Sequence, residues 1–281
     1  MENTESIKVK ESSSSNKNKS KYVLEFITEK IFMISAFVAV ISLLLIIGFV
    51  FYKGLMPFVT EGYSFIDFIF GTEWLPSSKE FGIGAMIVTS MVATVGALII
   101  GVPIGILAAI FIAEICPKKY ARVISTAVEL LAGIPSVLYG IFGLAVIVPA
   151  IQTVLSLPKG QSLLAVIIVL SIMMLPTIIS LSETSIRAVP KAYKEGSLAL
   201  GASKIETIFK VTVPAAKSGI LAGVILGIGR ALGETMAVIL VAGNSTAMPT
   251  SLLDSARPLT TNIALEMGYA AGTHQEMLFA T

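Results

Sequence analysis

The chain has 281 residues, 55% of them hydrophobic and 14% charged, with a net charge of +2. A soluble domain carries about 25% charged residues, so this composition, with a mean hydropathy of +0.88, excludes a soluble catalytic domain. One cysteine, Cys116, excludes an intrachain disulfide, and one histidine, His274, excludes a histidine-based metal cluster.

Residues 1–30 are polar, with a serine run at 12–15 bracketed by lysines, and predict a disordered cytoplasmic tail. The charged lead is too long for a cleavable signal, and the apolar run after it is of full membrane-spanning length. Five apolar stretches reach the roughly 20 residues that cross a bilayer. An all-α polytopic membrane bundle follows, in contact with lipid, since a β-barrel would show short alternating segments instead.

The first span is expected at 31–52, and an aromatic-rich external loop completes region 31–83. The second span, 84–115, carries the interruption Gly101-Val102-Pro103-Ile104-Gly105. Its Thr89, Ser90 and Thr94 are expected to make interhelical hydrogen bonds. The third is expected at 125–151, where Pro135 and Ser136 either open the helix toward a cavity or only kink it. The fourth is expected at 162–186, with the same two readings for Pro176. Glu129 and Glu183 fall toward span ends and read as structural.

The fifth span is expected at 219–242. Gly219, Gly223 and Gly227 recur one turn apart and form a smooth stripe for close helix packing. Another apolar stretch begins at Met277 and reads as the start of a sixth span. Lys8, Lys10, Lys17, Lys19, Lys21 and Lys30 share one side with Lys118, Lys119, Arg122 and the basic residues of the 188–217 loop. That side is expected to be cytoplasmic, so the N-terminus lies inside a multi-pass cell-membrane protein. No G-x-x-x-x-G-K-[ST] loop exists, so the chain is not expected to bind ATP through a P-loop. Neither a metal nor a nucleic-acid partner is expected.

Within the 188–217 loop lies Glu195-Gly196-Ser197-Leu198-Ala199-Leu200-Gly201, and ten residues on comes Val211-Thr212-Val213-Pro214. A glycine at the bend permits positive φ, and a proline re-aims the chain toward the membrane. Glu195 can cap a helix or meet a basic partner group. Glu195, Gly201 and Pro214 keep the register of the EAA loop of ABC importer permeases, with small-for-small and aliphatic-for-aliphatic changes between them. The resemblance to that family implies a type I ABC importer (MetI-like) transmembrane fold over 84–281. It also implies a coupling loop that docks on a separate ATPase, where ATP and Mg²⁺ would be bound.

Arg230 sits near the middle of the fifth span, where a charge is costly and functional by default. On a continuous helix Glu234 would lie one turn away, within pairing reach. The two then form either a neutral structural pair or an anion contact in which Glu234 poises the Arg230 fork. Arg230, Glu234 and Ser136 are the expected pathway residues.

Gly229-Arg230-Ala231-Leu232-Gly233-Glu234-Thr235-Met236-Ala237-Val238 resembles permeases of phosphate importers. So do Leu131-Ala132-Gly133-Ile134-Pro135-Ser136-Val137-Leu138-Tyr139-Gly140 and Leu175-Pro176-Thr177-Ile178-Ile179-Ser180-Leu181-Ser182-Glu183. The Thr-Met-Ala-Val continuation and Gly71-Thr72-Glu73-Trp74 resemble the PstC branch. This resemblance covers nearly everything from Ile31 onward and implies phosphate, which composition and spacing do not. It further implies a heterodimer with a PstA-like permease, two PstB-like ATPases, a PstS-like binding protein outside, and a final span that this sequence does not carry. The alternatives are the sister PstA permease, an importer of another oxyanion, an ion-coupled carrier using Arg230 and Glu234 as a proton relay, and a membrane scaffold that transports nothing.

Overall fold

The computed structural model describes residue 22 and residues 25–281. Of the tail expected at 1–30, residues 1–21, 23 and 24 lie outside the described residues. Residues 25–30 are helical and continuous with the first span, because no glycine or proline interrupts them. Helix α1 therefore spans Glu25–Thr60. Its apolar residues from Ile31 to Phe51 are exposed all round the helix, as suits a span solvated by lipid. The chain divides into two compact units, one ending at Met56 and the other beginning at Pro57.

The second unit opens with what the sequence presents as a loop. Here α2 (Phe65–Phe70), capped by Ser64, leads into a hairpin of β1 (Trp74–Leu75) and β2 (Glu80–Phe81). Phe58 packs edge-on against Phe65 at 5.4 Å and Phe68 at 5.2 Å, and Trp74 against Phe81 at 5.3 Å. The aromatic richness of the segment builds this small core.

Helix α3 (Gly84–Ile110) continues into a π-helical turn at Phe111–Ile115. Pro103 does not interrupt it. Its neighbouring glycines serve contact: a Cβ on Gly101 would sit 2.8 Å from the Met174 sulfur, and one on Gly105 2.8 Å from Ile178. Thr89 and Thr94 do not bond between helices as expected. Their hydroxyls donate to Ala85 O and Ser90 O of their own helix, a partner always available one turn back. Ser90 alone links elements, accepting from Leu259 N at 3.1 Å.

The third span differs from expectation. Helix α4 (Lys118–Ala132) ends at Gly133, and a new helix α5 (Ser136–Phe142) starts after Pro135. A π turn at Gly143–Ile147 joins it to α6 (Val148–Val154). The membrane-length stretch is Ser136–Val154, while α4 is amphipathic and carries Lys118, Lys119 and Arg122. The reason is local: Pro135 lacks an N–H and disfavours helix at the residue before it. Leu131 O, to which Pro135 has no N–H to donate, accepts the Ile134 N–H at 3.2 Å and the Tyr139 hydroxyl at 2.8 Å.

Helix α7 (Leu163–Arg187) is the hub and passes through Pro176 without a break. Met173, Met174 and Ile178 are almost fully buried in a core that includes Ala93 and Ala97 of α3. A second core at the other end of α7 gathers Ile112, Val128, Ile186, Ile208 and Ile220. After α7 come α8 (Lys191–Ala199), α9 (Lys204–Thr207), a π turn at Ile208–Thr212 and α10 (Val213–Ala215). Then α11 (Lys217–Gly233) turns 69° away from the Lys204–Ala215 segment. The glycine stripe meets α7 as the sequence predicts. Gly219 faces Ser185, Gly223 faces Leu181 and Gly227 faces Ile178, with no room for a Cβ at Gly219.

The fifth span is also broken. It stops at Gly233 and resumes as α12 (Met236–Val241). Glu234 has extended backbone there, φ −72° and ψ 127°. Its carboxylate accepts the Ala237 N–H at 3.1 Å, and its carbonyl accepts the Thr260 hydroxyl at 3.0 Å. The break is thus capped from both sides. The chain closes with α13 (Leu259–Glu266) and α14 (Thr273–Ala280).

Candidate functional site

Two places carry the residues singled out from the sequence. At the break in the fifth span, Arg230 occupies the last turn of α11 and is half-buried. It does not pair with Glu234. The helix ends before Glu234, whose carboxylate caps α12 instead, so the expected same-face spacing never forms. Among the described residues the Arg230 guanidinium has one hydrogen bond, from Nη1 to the Thr177 hydroxyl at 3.4 Å. Thr177 follows Pro176 on α7, inside a motif already noted, without having been given a role there. A guanidinium has five N–H donors in a planar fork; here most of them are uncommitted at a half-buried position.

Gly140 of α5 packs against Ala237 of α12, with no room for a Cβ between them, and Ser136 lies one turn before Gly140 on the same short helix. Ser136 is half-buried at the first position of α5, directly after the Pro135 break. Two breaks, at Gly133–Pro135 and Glu234–Thr235, therefore border the packed helices α5 and α12, while Arg230 reaches Thr177 in the unbroken α7. Non-helical backbone inside a membrane bundle persists where it is buried in protein or lines a wet cavity.

The second place is the elbow over 188–217. Gly201 turns the chain between α8 and α9 with φ +88°, the left-handed region that glycine enters at no steric cost. Ser203 and Glu206 form a reciprocal capping box on α9. Backbone N–H donation from Ser203, helped by the Lys210 ammonium at 3.1 Å, holds the Glu206 carboxyl down at about 2. The box is therefore charged at any physiological pH. Glu195 is exposed in mid-α8 and caps nothing. Pro214 opens α10 just ahead of the 69° turn. Leu200 beside Gly201 is 91% exposed, and with exposed Tyr193, Leu198 and Ile205 it makes the elbow an apolar knob.

Residues 101–273 match the family described as binding-protein-dependent transport system inner membrane component. The probable ABC transporter permease protein YqgH of Bacillus subtilis is 45% identical over 219 residues, covering 77% of this chain and 71% of that protein. The phosphate transport system permease protein PstC of Mesorhizobium japonicum is 37% identical over 269 residues, 88% of this chain and 81% of its own. The chain belongs to this family of transport permeases. Within the family it falls on the PstC branch. A chain of the inward-facing MetNI methionine ABC transporter superposes with a TM-score of 0.51 at 20% identity, over 71% of this chain and 84% of that one. The shared fold is the type I ABC importer transmembrane fold. The permease is a multi-pass membrane protein and a transport subunit.

Sequence reasoning missed two polar networks of the permease. At the hairpin end of the second unit, Glu266 is 6% exposed and collects three donors. These are Trp74 Nε1 at 2.8 Å, Arg257 Nη1 at 2.6 Å and His274 Nε2 at 2.8 Å. Arg257 also donates to Asn262 Oδ1 at 3.1 Å and to Asn244 O at 2.9 Å. The lone tryptophan and lone histidine were visible signals, but Trp74 and Glu266 are separated by 192 positions. At the elbow end, Glu183 accepts from Ser125 and from Arg187 at 2.8 Å, which bears out its structural reading. Glu129 is merely exposed.

Proposed function

We propose that this permease passes inorganic phosphate inward across the cell membrane, driven by ATP hydrolysed on separate partner subunits. One observation carries the reading: a half-buried guanidinium at a helix break, not paired with Glu234 and, among the described residues, holding most of its donors free. Planar, bidentate donation suits a tetrahedral oxyanion. That the Mesorhizobium relative is a phosphate transport system permease supports phosphate as the cargo.

In this reading the N-terminus and the elbow are cytoplasmic. The elbow knob around Glu195, Gly201 and Leu200 sits in a groove of one of two PstB-like ATPases. A PstA-like permease completes the path, and a PstS-like protein delivers phosphate from outside. ATP and Mg²⁺ belong to the ATPases, and this chain holds no cofactor. Nucleotide-driven closure pushes the elbow, and the helix segments rock between two arrangements. Arg230 meets the anion at mid-path, with Ser136 as a neutral donor beside it, while Glu234 holds the break open by capping α12. A proton relay is disfavoured, because Arg230 and Glu234 are not in contact.

The test is labelled phosphate uptake by vesicles containing the full complex, with and without internal ATP. Uptake that survives ATP depletion while a proton gradient persists would overturn it. Arg230→Lys is expected to lower uptake by about tenfold or more at unchanged assembly, since a point charge does not replace a planar fork. Wild-type uptake by that variant would remove Arg230 from the path.

A further inference from the structure

Helix α8 carries Glu195 and the approach to Gly201, yet it buries none of its residues. Its attachment to the bundle is therefore not an apolar one. Among the described residues two polar links leave its side chains: Ser197 Oγ to Thr207 Oγ1 at 2.9 Å, which stays within the elbow, and an ion pair from Lys194 to Glu114. The pair reaches out of the elbow to the π turn that ends α3. Glu114 is 12% exposed and Lys194 24%, so the pair is largely withdrawn from water. An exposed ion pair is worth little; one this sheltered constrains geometry.

The same π turn is fastened on its other side. Arg187, the last residue of α7, donates Nη2 to Ile112 O at 3.2 Å and Nε to Glu183 Oε1 at 2.8 Å. Ser125 of α4 donates to both Glu183 oxygens, at 2.8 and 3.0 Å. Two acids and two bases thus tie the π turn after α3 and the end of α7 to the middles of α4 and α8 in one charge-balanced cluster. A π turn widens the helix by one residue. In this one Ile112 turns its carbonyl toward Arg187 while Glu114 faces α8.

We propose that the Lys194–Glu114 pair is a strut that makes α8 move as one body with the end of α3, so that displacement of the elbow reaches the helices that open the path. This rests on the ATP-driven reading above. Lys194 and Glu114 are positioning residues; neither touches the anion or the nucleotide. Without the strut, the elbow still docks and hydrolysis continues, but α8 swings independently and the stroke is lost.

The measurement is phosphate moved per ATP hydrolysed, in vesicles holding the complete complex. Glu114→Gln and Lys194→Glu are each expected to lower that ratio by about fivefold, the scale of coupling between contacting charges. ATP hydrolysis and ATPase co-purification should stay near wild type. The double exchange Glu114→Lys with Lys194→Glu should restore the ratio. A ratio unchanged in the single variants, or a double exchange that stays uncoupled while assembled, overturns the strut. Loss of assembly in a single variant, with no recovery in the double, also overturns it by reducing the pair to a structural role. Failure of the wild-type complex to show ATP-dependent uptake would instead sink the functional reading.

Discussion

Gly201→Val is expected to reduce co-purification of the ATPase subunits by more than about tenfold while membrane insertion and yield stay unchanged. The residue sits at φ +88° with no atom within 4 Å of where a Cβ would lie. Space is therefore not the constraint; backbone conformation is. Left-handed backbone costs an ordinary L-residue about 1–2 kcal/mol, and a β-branched one is a true outlier there. Valine pulls the turn toward negative φ. That would swing α9, with its Ser203–Glu206 box, away from α8 and split the knob formed by Leu198, Leu200 and Ile205. Insertion is spared because the elbow contributes little to the bundle: α8 buries nothing, and the core contacts of the 204–216 segment run through Thr207, Ile208, Thr212 and Ala216. Gly201→Asn is the control. Asparagine tolerates left-handed backbone, so it should retain most of the docking. Co-purification of the Val variant at wild-type yield would show that the turn geometry is not what the ATPase reads.

Arg257→Ala should lower the thermal midpoint of the detergent-solubilised permease by something on the order of 10 °C. Glu266 is 8% exposed at its side chain and Arg257 16%. Removing one member of a buried pair costs about 3–5 kcal/mol, because the other charge stays behind unpaired; each kcal/mol shifts the midpoint by about 2–4 °C in a protein of this size. Trp74 and His274 would still donate to Glu266, but Asn244 O and Asn262 Oδ1 would lose their Arg257 contacts. Two segments would loosen together: the loop after α12, through Asn244 O, and α13, through Asn262 and Glu266. Arg257→Lys should recover only part of the loss, since one ammonium cannot span three acceptors that a guanidinium reaches from Nε and Nη1. A midpoint within about 2 °C of wild type in the Ala variant would mean that the node contributes little to the fold.

Both experiments probe features that were unequally visible in the sequence. Hydropathy located the second and fourth spans nearly to the residue and found α1, which runs six to eight residues further at each end than the expected 31–52. The bends of the elbow could be read from Gly201 and Pro214, because these signals are short-range and each has a local cause: a left-handed turn and a missing N–H. Arg230 stood out because a lone charge in an apolar run is conspicuous, and the stripe of Gly219, Gly223 and Gly227 showed itself through its period. These signals were written in neighbouring residues, and the structure shows the left-handed turn at Gly201 and the packing of the glycine stripe on α7.

What only the tertiary structure decided is where the helices break and what the polar groups do there. The composition around Pro135 and Glu234 suits both a continuous span and a broken one. The broken form prevails because the Tyr139 hydroxyl reaches Leu131 O, the Glu234 carboxylate reaches Ala237 N, and Thr260 reaches Glu234 O. Pro103 and Pro176 lack such compensation and stay inside continuous helices. Once the fifth span is broken, Glu234 cannot pair with Arg230, and Thr177 of a different helix takes the guanidinium instead. The Lys194–Glu114 strut spans 80 positions and the Trp74–Glu266 bond 192. Periodicity and propensity act over one or two turns, whereas a buried acid takes whichever donors the folded chain brings to it.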